Sequence, residues 1–178
     1  MIKGHLDLSF ITDGMLDSTE FKERNPIGFT WKELDMPEPS EPITNAVVHQ
    51  SFELDCPDWA HQVKAMFSDK LTAAQVTINL VKPGQFIPPH RDAFIKLHRQ
   101  AKLSNTLVDN LVPIRVNVFL QDHKLGHFFE MDGEVCMNYK KGDFAIIHQG
   151  AIHSVINIGN TNRYTLQVSG FADRNTFI

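Results

Sequence analysis

Between Ala74 and Phe171 the chain is written in short runs where apolar and polar residues alternate, the period of strands with two unlike faces. The runs cover residues 74–81, 86–92, 113–121, 127–131, 134–139, 144–148, 153–158 and 163–171. Pro83-Gly84, Asp132-Gly133, Lys140-Lys141-Gly142, Gln149-Gly150 and Gly159-Asn160 separate most of them, each with a glycine able to supply positive φ. Eight strands at this spacing predict a mainly β fold, a double-stranded β-helix (jelly roll, cupin-like) with supporting helices. In three runs the faces are sharply unlike. Thr77 and Asn79 oppose Val76, Ile78 and Leu80; Arg115 and Asn117 oppose Ile114, Val116 and Val118; Arg163, Thr165 and Gln167 oppose Tyr164, Leu166 and Val168. A half-exposed antiparallel sheet turns such a polar face to water. A jelly roll with a ligand in its mouth turns it inward.

Outside these runs the pattern is helical or irregular. Val63, Met66, Phe67 and Leu71 recur at the spacing of one buried helical face, predicting a helix over 58–71 with Asp58 as its cap. The long interruption at 93–112 mixes Phe94, Ile95, Leu97, Leu103, Leu107, Val108 and Leu111 with Lys96, Arg99 and Lys102. It reads as partly helical, either a lid or a cover over one end of the barrel. Residues 37–42, proline-rich and acidic, read as a surface loop too short to divide the chain. The expected organisation is one domain over 1–178, with a jelly-roll core at 74–173 and a supporting N-terminal segment at 1–73 that carries no motif.

Composition narrows the class. A length of 178 residues with 42% hydrophobic positions supports a core without disulfide or metal staples. The formal charge of −4 builds in no pull toward nucleic acid or an anionic membrane. Apolar runs such as Phe144-Ala145-Ile146-Ile147 fall far short of a membrane span, and Met1 to Asp7 turns charged before a signal-like stretch develops. We therefore expect a cytoplasmic protein without a nucleic-acid or membrane partner. Cys56 and Cys136 lie far apart, outside any CxxC pair, and read as buried free thiols.

The candidate chemistry is metal binding. In His90-Arg91-Asp92 two donors stand two residues apart, so on a strand both reach from one face. Nine histidines and 21 acidic residues give about one His-x-acid triplet by chance, and His5-Leu6-Asp7 is a second. Context favours His90, which opens the strand-rich half and is followed by His153 on a predicted strand and Arg163 ten residues later. Two histidines and one carboxylate form a donor set suited to Fe(II) with open positions. His148 is the substitute ligand to weigh, with His98, His123 and His127 behind it.

Several segments together resemble the Fe(II)/2-oxoglutarate dioxygenases, and within them the aspartyl/asparaginyl β-hydroxylase-like branch. They are Asn79-Leu80-Val81-Lys82-Pro83-Gly84 up to Pro89-His90, Pro113-Ile114-Arg115-Val116-Asn117-Val118, and Lys141-Gly142-Asp143-Phe144-Ala145-Ile146-Ile147. Ile152-His153-Ser154-Val155-Ile156-Asn157 and Asn162-Arg163-Tyr164-Thr165-Leu166 complete the set, over residues 74–173. The resemblance implies that His90 and His153 ligate iron and that Arg163 grips the distal carboxylate of 2-oxoglutarate. It also implies that Asn79, Arg115 and Asn117 shape the cosubstrate pocket. The implied reaction consumes 2-oxoglutarate and O2, releases succinate and CO2, and hydroxylates an amino-acid residue in a peptide or a free amino acid. Asp92 departs from the animal β-hydroxylases, which lack a carboxylate ligand there, and follows the wider superfamily's triad. Asn79 and Asn117 stand where Ser and His are expected, and the 93–112 insertion is longer.

Two other classes remain open on the residues alone. A cupin-type metalloprotein could use His90, Asp92, His127 or His148 without 2-oxoglutarate, and it has no need of Arg163. A non-catalytic jelly-roll binding module needs no metal.

Overall fold

The alternating runs pair as antiparallel strands in the computed structural model, which describes residues 1–24, 40, 43–104, 106 and 110–177. In chain order the elements are β1 (Ile2–His5), α1 (Asp13–Asp17), β2 (Lys22–Arg24), β3 (Val48–Phe52), α2 (Asp58–Ala65), β4 (Thr72–Val81) and β5 (Phe86–Arg91). There follow α3 (Ile95–Leu103), β6 (Val112–Phe119), β7 (His127–Met131), β8 (Glu134–Cys136), β9 (Asp143–His148), β10 (Ile152–Asn157) and β11 (Arg163–Ala172). Seven strands make one sheet in the order β1-β9-β6-β11-β4-β3-β2, and four make the other, β5-β10-β7-β8. From β4 to β11 the chain crosses repeatedly between the two sheets, the winding of a double-stranded β-helix. The predicted fold class is the observed one.

The unlike faces of β4, β6 and β11 resolve in favour of the inward polar face. Val76, Ile78, Val116, Val118, Leu166 and Val168 form a core with Leu8, Ile11 and Leu16 and with Trp59, Val63 and Phe67 of the α2 region. The aliphatic face of the large sheet is therefore covered by the N-terminal segment. The opposite face looks toward the small sheet, where Val48, Val81, Phe119, Phe129, Ile147 and Val155 close a second core. The N-terminal third also supplies β1 at one edge of the large sheet and β3 and β2 at the other.

Local departures from the predicted elements have local causes. The residue entering α2 in extended conformation is Pro57 (φ −68°, ψ 159°), and Asp58 is the first helical residue, placing its charge at the positive end of the helix without a side-chain capping bond. The helix stops at Ala65 and turns bring Phe67 and Leu71 down onto the sheet; Met66, expected on the buried face, is 40% exposed. β8 is shorter than the predicted 134–139, because Asn138 takes positive φ and Tyr139 leaves the strand to stack on Phe119 at 3.8 Å. The turn glycines at 84, 133, 142 and 150 have positive φ as expected, whereas Gly159 does not. Gly159 is needed for space: a Cβ there would lie 2.6 Å from the Leu125 carbonyl oxygen.

The 93–112 insertion is partly helical, as predicted. Phe94 enters α3 with φ 51° and joins Leu97, Ala101 and Phe171 in a small third core, so the helix is docked at the end of the sandwich. Leu107, Val108 and all of the 37–42 loop except Ser40 lie outside the described residues. Cys56 and Cys136 are free and buried. Among the described residues no helix is long and apolar enough to cross a membrane.

Candidate metal centre

β5 and β10 are neighbours in the small sheet, and their register sets His90 directly opposite His153. Paired residues project from the same face, and here the ring centroids are 4.2 Å apart. Asp92 follows the end of β5 and closes the group: its Oδ1 is 3.9 Å from His90 Nε2 and its Oδ2 is 3.6 Å from His153 Nε2. Among the described residues, these three are the group of histidine, cysteine and acidic side chains whose donor atoms all lie within 4.8 Å of one another.

Each imidazole is held in the tautomer that ligation requires. His90 Nδ1 lies 2.8 Å from the Pro88 carbonyl oxygen and His153 Nδ1 lies 3.2 Å from that of Ala151. A carbonyl only accepts, so each Nδ1 carries a proton, and in the neutral ring Nε2 is then the atom that offers its lone pair. Burial lowers the His153 pKa to about 4, with His90 adding to the effect and Asp92 opposing it. The ring is therefore neutral at pH 7.

The carboxylate of Asp92 is divided in function. Oδ1 accepts from Arg115 Nη1 at 2.6 Å, whereas Oδ2 is buried and has no hydrogen-bond partner. A buried unpartnered carboxylate oxygen is costly unless a cation completes it. Two neutral imidazole nitrogens and this oxygen form a mixed donor set that fits a divalent first-row metal.

The triad opens into a cavity of about 480 Å³ lined also by Asn79, Arg115, Asn117, Gln50 and Gln167. Gln50 Nε2 donates to Asn79 Oδ1 at 2.9 Å and Gln167 Nε2 to Asn117 Oδ1 at 3.4 Å, while Asn117 Nδ2 is buried without an acceptor. Gln167 was already on the polar face predicted for 163–171. Gln50 carried no signal, since β3 lies in a segment without motif and only its pairing with β4 brings it opposite Asn79.

Arg163 is placed differently from the other expected site residues. It shares a face with Thr165 and Gln167, yet it stands four residues, about 13 Å of strand, from Gln167. It does not line the cavity. Its side chain is 2% exposed beside the Phe119 ring and the Tyr139 phenol, with Nε and Nη2 unpartnered. The remaining histidines fall elsewhere. His148 is exposed on β9, His127 Nε2 donates to the Thr161 carbonyl at 3.1 Å, and His5 pairs with Asp143 at 2.9 Å rather than with Asp7.

A double-stranded β-helix with two histidines and one carboxylate in its mouth defines the class, a cupin-type metalloprotein. Within it, the chain belongs to the aspartyl/asparaginyl β-hydroxylase family, whose model matches residues 14–172. No curated protein sequence matches the chain. Among solved structures it is similar to a predicted oxalate decarboxylase from Thermotoga maritima (17% identity, 70% of this chain and 80% of that one, TM-score 0.41). It is also similar to the cupin domain of Cnp3 from Schizosaccharomyces pombe (11% identity, 83% and 74%, TM-score 0.43). A third is a cupin protein from Bacteroides fragilis (17% identity, 59% and 70%, TM-score 0.39).

Proposed function

We propose that the chain is an Fe(II)/2-oxoglutarate-dependent oxygenase that hydroxylates an amino-acid residue in a peptide, or a free amino acid, with release of succinate and CO2. The observation that carries this reading is the meeting of His90, Asp92 and His153 at the wall of a cavity of mixed polar and apolar lining between the two sheets. Membership of the aspartyl/asparaginyl β-hydroxylase family supports hydroxylation as the chemistry.

His90 Nε2, His153 Nε2 and Asp92 Oδ2 would hold Fe(II), and iron with bound 2-oxoglutarate and O2 supplies the oxidising equivalent for hydroxylation. The protein residues hold and orient. The Pro88 and Ala151 carbonyls keep both imidazoles in the ligating tautomer. Asn117 offers an unpartnered N–H into the cosubstrate space, and Gln50 fixes which way Asn79 faces. Arg163 has two N–H groups awaiting an anion, the need a distal carboxylate would meet through two charge-assisted bonds.

One observation favours a second reading. Because Arg163 stands off the cavity lining, a cupin-type metal enzyme that dispenses with 2-oxoglutarate also accommodates the triad. Anaerobic addition of Fe(II) and 2-oxoglutarate, followed by O2, separates the two. A metal-to-ligand charge-transfer band and subsequent succinate support the oxygenase; metal binding without the band supports the second reading; neither leaves a binding module.

A further inference from the structure

The resemblance placed Arg115 in the cosubstrate pocket, but the side chain is already engaged. Its Nη1 donates to Asp92 Oδ1 at 2.6 Å and its Nε to Ser169 Oγ at 3.0 Å, and its guanidinium lies over the Phe94 ring at 5.4 Å. Ser169 is the direct cross-strand partner of Arg115 in the large sheet, and Phe94 is buried at the start of α3. The planar fork is thus fixed from three directions before any ligand arrives, and a fixed fork fixes the carboxylate it grips.

Resting on the metal-site reading above, we propose that Arg115 is a positioning residue for the metal: it occupies Asp92 Oδ1 and so limits Asp92 to a single ligating oxygen, Oδ2. Two consequences follow from the geometry. Asp92 Oδ2 is presented toward His153 Nε2, 3.6 Å away, without the carboxylate being free to rotate. A one-oxygen carboxylate also takes one coordination position rather than two, preserving room for bidentate ligands on the open side. Arg115 acts on the metal through Asp92 and need not touch it.

The test is a double-mutant cycle on metal affinity, read by calorimetric titration of the full-length, chelator-stripped chain with Mn(II) alone. Arg115→Met should weaken Mn(II) binding by about 10- to 100-fold, the usual effect of removing a hydrogen-bond partner of a ligand. In an Asp92→Ala background the same substitution should change affinity by less than about threefold, because the carboxylate through which it acts is already gone. Ser169→Ala, which leaves the Asp92 contact and removes only its anchor, should weaken binding less and in the same direction. Unchanged Mn(II) affinity in Arg115→Met, or an equal loss in both backgrounds, overturns the role of Arg115 while the metal site stands. Failure of the unsubstituted chain to bind Mn(II) overturns the metal site and this role with it.

Discussion

At the scale of single residues, Arg163 poses the sharpest energetic question. A guanidinium that is 2% exposed, with two nitrogens unpartnered, is held in the fold at a desolvation cost, and burial accordingly pushes its pKa down against the opposing effect of Tyr139. Charge removal with volume conserved should relieve that cost. We expect Arg163→Met to leave ligand-free stability unchanged or raise it by about 1 to 4 kcal/mol, measured by urea unfolding. The same substitution should sharply raise the 2-oxoglutarate requirement, since a partner lost from a buried pair costs about 3 to 5 kcal/mol. Apparent 2-oxoglutarate affinity that stays the same in Arg163→Met would remove Arg163 from the cosubstrate site. For His90 and Asp92 the two-residue spacing put both donors on one face, whereas His153 was singled out by context and by the resemblance and meets His90 only through strand register. Arg163 matched the motif but stands farther along its strand than a shared face suggested.

At the scale of elements, the site depends on which side of the large sheet is covered. Phe67, after α2, meets Phe144 edge-on at 5.6 Å and is 1% exposed, so it belongs to the core on the face away from the metal site. Phe67→Ala should cost about 3 to 5 kcal/mol in urea unfolding while leaving Mn(II) affinity intact. Lost metal binding at temperatures where the variant is folded would mean that the two faces are coupled. The loop crossing at Gly126 and Gly159 is a second pressure point. Gly126 has φ 89°, and a Cβ on it would lie 2.4 Å from the Gly159 backbone nitrogen. Gly126→Ala should lower the melting temperature by more than an exposed-loop substitution does; an unchanged melting temperature would show that the crossing relaxes freely. Strand existence was readable because the alternation is local. Strand ends were not, because Asn138 and Tyr139 end β8 through a stacking contact with Phe119 on another strand.

At the scale of the whole molecule, buried neutral histidines set the response to acid. His153 has a pKa of about 4, and desolvation lowers that of His127 as well. Between the ordinary histidine value near 6.5 and these depressed values, the unfolded chain binds protons that the folded chain does not. Stability is therefore full above about pH 6.5 and falls as pH drops, for His153 by up to about 1.4 kcal/mol per pH unit until pH nears 4, with His127 adding in the same direction. Urea unfolding of the metal-stripped protein at pH 7, 6 and 5 should show this decline, and His127→Gln should flatten it. Equal stability at all three values would mean that these rings are solvated.

Period-two alternation and turn glycines are properties of the chain itself, and they sufficed for the jelly roll and its strand count from β4 onward; the spacing of His90, Asp92 and His153 nominated the donors, and the pairing of β5 with β10 brought them together. Which face turns inward was a tertiary decision, made when Leu8, Ile11, Trp59 and Phe67 covered the aliphatic side and left Asn79, Arg115 and Asn117 facing the small sheet. Gln50 opposite Asn79, Ser169 behind Arg115 and the distance of Arg163 from the cavity were decided at the same level. The physical reason is common to all: alternation assigns a residue to a face, whereas pairing register and packing between distant segments determine what that face meets.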